Sequence, residues 1–379
     1  MKVWVFDQVF WPKHGDRLLF PYPGRLWDSD IGIKQYHGHL EYLKRADELG
    51  FDGVCLTEHH YTVHGTPSPN VMAAAVAVQT QKVKLVILGN CVPLHAHPVR
   101  LAEELAMVDI LSRGRLVSGF LRGGFLEWYA YNIETGEVRE RFEEAWDLIT
   151  EAWTAKEPFA WNGKHYHYEN VSIMPRPVQQ PHPPLIMAAA TAESIEWCAR
   201  KHIPIASSFA PTESMAENFT YYRDFAKKEC GWSPGPESIM FSRQLYVAPT
   251  DQQARDEISP YIKEFFEEIP VTRKYPEQIE KFRAASRTER SFAYKQGKSA
   301  GAQFLGETMG GKFNLDHIID QGLCIIGDPD SVTQQIRSQQ KALGAGTMMI
   351  YAPFATMPLD MATRSLELFA REVLPNLRD

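Results

Sequence analysis

Cysteine is scarce. The five thiols, Cys55, Cys91, Cys198, Cys230 and Cys324, are odd in number and lie far apart with no CxxC spacing, so neither a disulfide framework nor a structural zinc or redox pair is indicated. Each reads as a small buried side chain. The opening MKVWVFDQVFWPKHGD lacks the apolar core of roughly 7–15 residues that a signal peptide needs, and no apolar run approaches the roughly 20 residues of a membrane span. A cytoplasmic location is the expectation, and the Asn218-Phe219-Thr220 glycosylation tripeptide is then an accident of composition. No block of Lys or Arg stands out. With 40 basic against 47 acidic residues the formal charge is −7, which gives no electrostatic reason to bind nucleic acid.

Familiar catalytic signatures are missing too. No GxGxxG follows a strand-like run, and no GxSxG marks a serine-hydrolase elbow. Gly306 to Phe313 keeps the Walker A spacing until Phe313 stands where a Ser or Thr would bind magnesium.

What is present is an alternation of β-branched apolar runs with amphipathic helical patterns, the mark of βα units around a parallel sheet. Strands are expected at Val3–Phe6, Gly53–Thr57, Val83–Leu88, Leu116–Phe120, Leu185–Met187, Ile203–Ser207, Ile239–Val247 and Met348–Tyr351. Between them fall helices such as the one carrying Tyr36, Leu40, Leu43 and Ala46 before Gly50, the one opened by Pro98, and the charged Arg139–Trp153. Eight such units favour a (β/α)8 TIM barrel, one domain over residues 1–379, above an open doubly wound sheet. Phe159–Pro184 reads as an ordered loop or small hairpin. Residues 250 to 325, with five glycines between Gly297 and Gly311, read as an insertion before the last strand, a mobile lid rather than a second domain.

Chemistry in such a barrel sits just after the strands. Strand two runs into Glu58-His59-His60, where two imidazoles and a carboxylate can act as base, proton donor or metal ligand. Strand three runs into Gly89-Asn90, an amide beside bare backbone suited to a planar heterocycle, and then into His95-Ala96-His97. That HxH pair lacks the further ligands of a metal-dependent hydrolase, since strand five brings no His or Lys and strand eight no Asp. No metal site is therefore expected, and His97 before Pro98 reads as a capping or supporting residue. After strand four, Arg122 in a glycine-rich turn suits a phosphate or ring carbonyl, or pairs with a carboxylate. After strand five, Ala189-Ala190-Thr191-Ala192-Glu193-Ser194 opens a helix, either as a phosphate cradle or as an ordinary cap at Thr191.

Taken together, Thr57–Tyr61, Leu94–Arg100, Ser112–Arg115, Gly119–Gly123, Arg139–Glu144, Pro175–Gln179, Gly327–Ser331 and Ser365–Ala370 resemble the bacterial luciferase-like flavin monooxygenases in order and spacing. The resemblance covers most of the chain outside roughly 210 to 320. It implies a (β/α)8 barrel with an insertion before the last strand and a two-component system, in which a separate flavin reductase supplies reduced FMN. Oxygen would then add at the flavin C4a carbon, and the C4a-peroxyflavin would hydroxylate or Baeyer–Villiger-oxidise a small organic substrate. By resemblance His59 and Glu58 serve the reaction centre, Gly89 and Asn90 fall where the backbone bulges beneath the ring, and Arg122 accompanies the flavin. Ala189, Ala190, Thr191 and Ser194 form the loop that holds its phosphate. A homodimer or higher homo-oligomer is implied as well.

Leu121 stands where luciferase proper has a reactive cysteine, so efficient light emission is not expected. Phe125, Trp128 and Tyr131 either line the substrate side of the ring or simply pack. Two alternatives remain: a deazaflavin-dependent hydride-transfer oxidoreductase, and a non-catalytic flavin-binding protein.

Overall fold

In the computed structural model, residues 1–12, 20–62, 65–268, 277, 278, 281 and 313–378 are described. The strands are β1 (Lys2–Asp7), β2 (Gly53–Leu56), β3 (Lys84–Cys91), β4 (Leu116–Leu121), β5 (Phe159–Asn162), β6 (His167–Val171), β7 (Leu185–Ala188), β8 (Ile205–Ser207), β9 (Ile239–Val247), β10 (Cys324–Gly327) and β11 (Thr347–Tyr351). Parallel pairing runs β1-β2-β3-β4-β7-β8-β9-β11 and closes from β11 back to β1, with Lys2 opposite Thr347 and Phe6 opposite Tyr351. The result is the expected eight-stranded barrel, and the eight expected strands are the eight of the ring. Their side chains are almost wholly buried, as strands covered on both faces require.

The helices are α1 (Ser29–Glu48), α2 (Pro69–Gln79), α3 (Pro98–Leu111), α4 (Phe125–Ala130), α5 (Val138–Thr154), α6 (Ala192–Arg200), α7 (Thr212–Glu229), α8 (Asp251–Lys263), α9 (Leu315–Asp320), α10 (Pro329–Leu343) and α11 (Leu359–Leu368). Local chemistry fixes their ends. Asp28 caps α1 by accepting from the Ile31 N–H, and α10 starts with Asp328 as cap and Pro329 in its first turn. It stops at Gly344, whose φ of 61° is a left-handed conformation that glycine adopts without strain.

Two features add to the sequence reading. Of the loop or small hairpin expected in Phe159–Pro184, the structure has the hairpin, β5–β6, whose turn is held by Glu144 of α5 accepting from the His165 and Tyr166 N–H groups. The region read as an insertion starts with an ordinary helix, α8, and ends with α9 and a ninth parallel strand, β10. Most of the rest of that span, including Gly297–Gly311, lies outside the described residues. Strand β9 serves three neighbours: β8 through Ile239–Phe241, β11 through Met240–Gln244 and β10 through Gln244–Val247.

Candidate active site

All ring strands are parallel, so their C-terminal ends share one mouth. Glu58, just past β2, is 4% exposed and reaches across to β3, where its Oε2 accepts from the Cys91 N–H at 2.9 Å. Its Oε1 lies 2.8 Å from His60 Nε2, and His95 Nε2 stands 3.9 Å from Oε2. Burial pushes the Glu58 carboxyl up, but the two imidazoles and the amide outweigh it and hold it at about 2. Glu58 is therefore ionised at neutral pH. His60 passes the chain on to the Tyr131 hydroxyl at 3.1 Å, which places Tyr131 against an imidazole rather than in loose packing.

His59 faces the other way. Its Nδ1 lies 3.1 Å from Glu127 Oε1, and its Nε2 lies 3.1 Å from the Gln8 amide nitrogen. The Tyr351 hydroxyl donates to Gln8 Oε1, which leaves the amide NH2 to donate to His59. The imidazole thus accepts at Nε2 and carries its proton on Nδ1, toward Glu127. Asp7, at the end of β1, pairs with buried His39 at 2.7 Å and accepts from the Val9 N–H at 3.1 Å, which pins the chain on both sides of Gln8. Burial raises Glu127, but His59 and the Gly124 N–H bring it below the usual carboxylate range. Sequence reasoning missed Gln8, Glu127 and Tyr351. Glu127 alone left a signal, as the third residue of the short helix α4, reaching back to the Gly124 N–H.

The bulge expected at Gly89-Asn90 is present. The Leu88–Gly89 peptide is cis, and the β3–β4 register shifts between Leu88 and Asn90. A Cβ on Gly89 would fall 2.4 Å from the Gly119 carbonyl oxygen, so only glycine fits. Asn90 is 1% exposed; its amide nitrogen donates to Asn70 at 3.0 Å, while its Oδ1 has no hydrogen-bond partner among the described residues. His97 makes no side-chain cap on α3 and instead faces the Tyr168 hydroxyl at 3.4 Å.

Arg122 follows β4, with its carbonyl accepting from Trp128 Nε1 at 2.6 Å; Trp128 thus braces the turn. Burial first, then the charge of Arg139, lowers the Arg122 pKa. At the end of β7, the Ala189 N–H is spent on the Ala206 carbonyl and Ala190 is exposed. Thr191 and Ser194 cap α6 reciprocally: each backbone N–H is held by the other's hydroxyl, at 3.2 and 3.3 Å. The cationic chemistry here comes instead from Arg122 and Arg139, which line one recess with Met187, Glu193, Ser194 and Trp197. Arg139 and Glu193 went unassigned in the sequence, because α5 and α6 meet only in the fold. Among the described residues, no group of three or more His, Cys, Asp or Glu side chains is placed to hold a metal ion. Nor is any described helix long and apolar enough to cross a membrane.

The profile of the luciferase-like monooxygenases matches residues 19–346. Limonene 1,2-monooxygenase of Rhodococcus erythropolis is 27% identical over 365 residues, covering 92% of this chain and 83% of that protein. The oxygenase component of a flavin-dependent trigonelline monooxygenase from Acinetobacter baylyi is 28% identical over 252 residues, covering 62% and 66%. The crystal structure of the monooxygenase RslO1 from Streptomyces bottropensis superposes with a TM-score of 0.74 at 26% identity and 99% coverage of both chains. Two more distant structures share the fold. One is the FMN-bound oxygenating constituent of 3,6-diketocamphane monooxygenase from Pseudomonas putida (TM-score 0.75, 19% identity, 99% and 98% covered). The other is an F420-dependent secondary alcohol dehydrogenase (TM-score 0.67, 14% identity, 100% and 99% covered). With the profile spanning most of its length and the barrel closed as in these relatives, the chain belongs to the luciferase-like monooxygenase family.

Proposed function

We propose that this chain is the oxygenase of a two-component system, taking reduced FMN from a separate flavin reductase and using dioxygen to insert one oxygen atom into a small organic substrate. Hydroxylation and Baeyer–Villiger insertion both agree with the site. The observation that carries the reading is the close, side-chain-free approach of Gly89 to Gly119, next in sequence to Asn90, whose Oδ1 has no hydrogen-bond partner among the described residues, together with the recess lined by Arg122. A flat heterocycle with ring N–H groups and a phosphate tail has matching chemistry at each point. Gly89 and Asn90 would hold the ring, and Arg122, with the α6 opening at Ala189, Ala190, Thr191 and Ser194, would face the phosphate.

Bound reduced FMN supplies the electrons that activate dioxygen at its C4a carbon. The protein supplies position and proton control. His59 is held by Glu127 at Nδ1 and by the Gln8 amide at Nε2, so a substrate or water proton would reach Nε2 by taking the place of the Gln8 contact, and Glu58 keeps His60 and Tyr131 oriented at the same mouth. The ring cluster of Phe10, Phe209, Phe265 and Phe354 around Tyr351 gives the mouth an apolar wall that excludes water and suits a hydrocarbon-like substrate.

The same proposal includes a cytoplasmic setting and a homodimer. Helix α2 carries no charged residue yet exposes Val71 (69%) and Val78 (62%), and α3 exposes Met107, Ile110 and Leu111, the composition of a covered face.

Anaerobic titration with reduced FMN, followed by rapid mixing with oxygen, tests the reading. Saturable binding and a long-lived absorbance transient, distinct from reduced and oxidised FMN, are expected. Absence of binding, or immediate reoxidation, overturns it and turns attention to a deazaflavin or to binding without catalysis.

A further inference from the structure

Two guanidinium groups converge on one carboxylate beside the proposed ring site. Arg122 Nη1 stands 3.7 Å from Glu193 Oε2, and Arg139, on α5, pairs with Glu193 Oε1 while its Nε donates to Glu143 Oε1 at 2.8 Å. The recess therefore balances two cations against two anions. Arg122 is 26% exposed, whereas Glu193 at 46% and Arg139 at 49% lie together on the open side of the cluster. Without it, Arg122, whose pKa is lowered first by burial and then by the charge of Arg139, would face Arg139 with no carboxylate between them.

A half-exposed carboxylate contributes little to stability, because water solvates it nearly as well when it swings away. A phosphate monoester brings nearly two charges and several strong acceptor oxygens, and guanidinium groups bind it through paired hydrogen bonds. Glu193 thus occupies the chemical place of a ligand phosphate without holding it firmly. Of the other groups at the β7 end, the Ala189 N–H is already engaged in the sheet and the Thr191 N–H in the cap, which leaves the two guanidinium groups as the cationic partners there.

We propose that Glu193 is a displaceable internal counter-ion, competing with the ligand's phosphate for Arg122 and Arg139 and so keeping the flavin loosely held and exchangeable. This rests on the flavin reading above. It gives the chain a way to accept a diffusing reduced flavin and release the oxidised one each turnover, instead of retaining it as a resident group. A longer, more anionic tail gains little here, since the recess offers no surplus positive charge.

Equilibrium binding of FMN and of riboflavin, which lacks the phosphate, to the full chain and to Glu193→Gln tests this. The glutamine variant is expected to bind FMN roughly three- to tenfold more tightly and to release it more slowly, with riboflavin affinity unchanged. Glu196→Gln, on the same helix but paired with Tyr221 and Arg200, is expected to leave both affinities as they are. Inorganic phosphate is expected to raise the melting temperature of Glu193→Gln more than that of the parent chain. FMN affinity equal to or weaker than the parent's, with riboflavin unchanged and no added stabilisation by phosphate, overturns the proposal. Saturable binding of neither flavin, with phosphate still favouring the variant, overturns the flavin reading and leaves the counter-ion role of Glu193 standing.

Discussion

The Gln8 amide nitrogen lies 3.1 Å from His59 Nε2, and because an amide nitrogen only donates, it assigns the imidazole its tautomer. Glu at this position would accept instead. Gln8→Glu is therefore expected to favour a second proton on His59 and to move the acid limb of a kcat/KM against pH profile upward, by about one unit or more. Since a group whose pKa rises stays protonated to higher pH, the loss is confined to the acid side and activity recovers in alkali. A profile that does not move removes His59 from the proton-handling role.

Glu58 makes stability depend on pH. Its folded-state pKa, about 2 against an ordinary 4.5, is depressed, so its contribution is complete above roughly 4.5 and is lost as pH falls toward 2. The gap corresponds to something on the order of 3 kcal/mol. Glu58→Gln is expected to melt lower than the parent at pH 7 and to lose less on going from pH 5 to pH 3; melting curves at both pH values, falling in parallel for the two proteins, would contradict this.

Gly89 has no room for a methyl group. In Gly89→Ala the new Cβ meets backbone atoms of Gly119 at 2.4 and 2.6 Å, which cannot rotate away, and about 1–3 kcal/mol of stability is expected to be lost. Reduced-FMN affinity should fall further than stability does, because the methyl also stands between the two strands that would support the ring. Calorimetry and anaerobic titration on one sample separate the two effects, and unaltered affinity would place the ring elsewhere.

The uncharged face of α2 predicts its own disruption. Val71→Glu with Val78→Glu adds charge where the proposed dimer buries both side chains, and sedimentation velocity is expected to show a dimeric parent and a monomeric variant with unchanged far-ultraviolet circular dichroism. An oligomer that survives both substitutions lies on another face.

The barrel was legible because each ring strand is a short apolar run bounded by a turn signal. Strand β10 was not, because Cys324-Ile325-Ile326-Gly327 sits beside a charged, glycine-rich stretch that reads as one insertion, although Asp328-Pro329 after it is a good helix start. The site divides along the same line. Glu58, His59 and Arg122 stand out as candidates because they come directly after strand-like runs, and Gly89 and Asn90 because they end the apolar run of β3, which the structure extends through them to Cys91. Gln8 and His59 are 51 residues apart, His59 and Glu127 68, and Gln8 and Tyr351 343; no local pattern couples such positions, and only closure of the ring does. Thr191 was read as cradle or cap, and its hydroxyl serves the cap.

The threefold use of β9 has a consequence for how such a chain can change over evolutionary time. Closure of the ring depends on Met240–Gln244 meeting Thr347–Tyr351, whereas β10 attaches only farther along, at Gln244–Val247. Chain leaving after β9 and returning through β10 can lengthen, shorten or be exchanged without altering the pairing that shuts the barrel. The proposed catalytic groups at the first four strands are thereby uncoupled from the pairing of this later excursion, and the two are free to diverge at different rates.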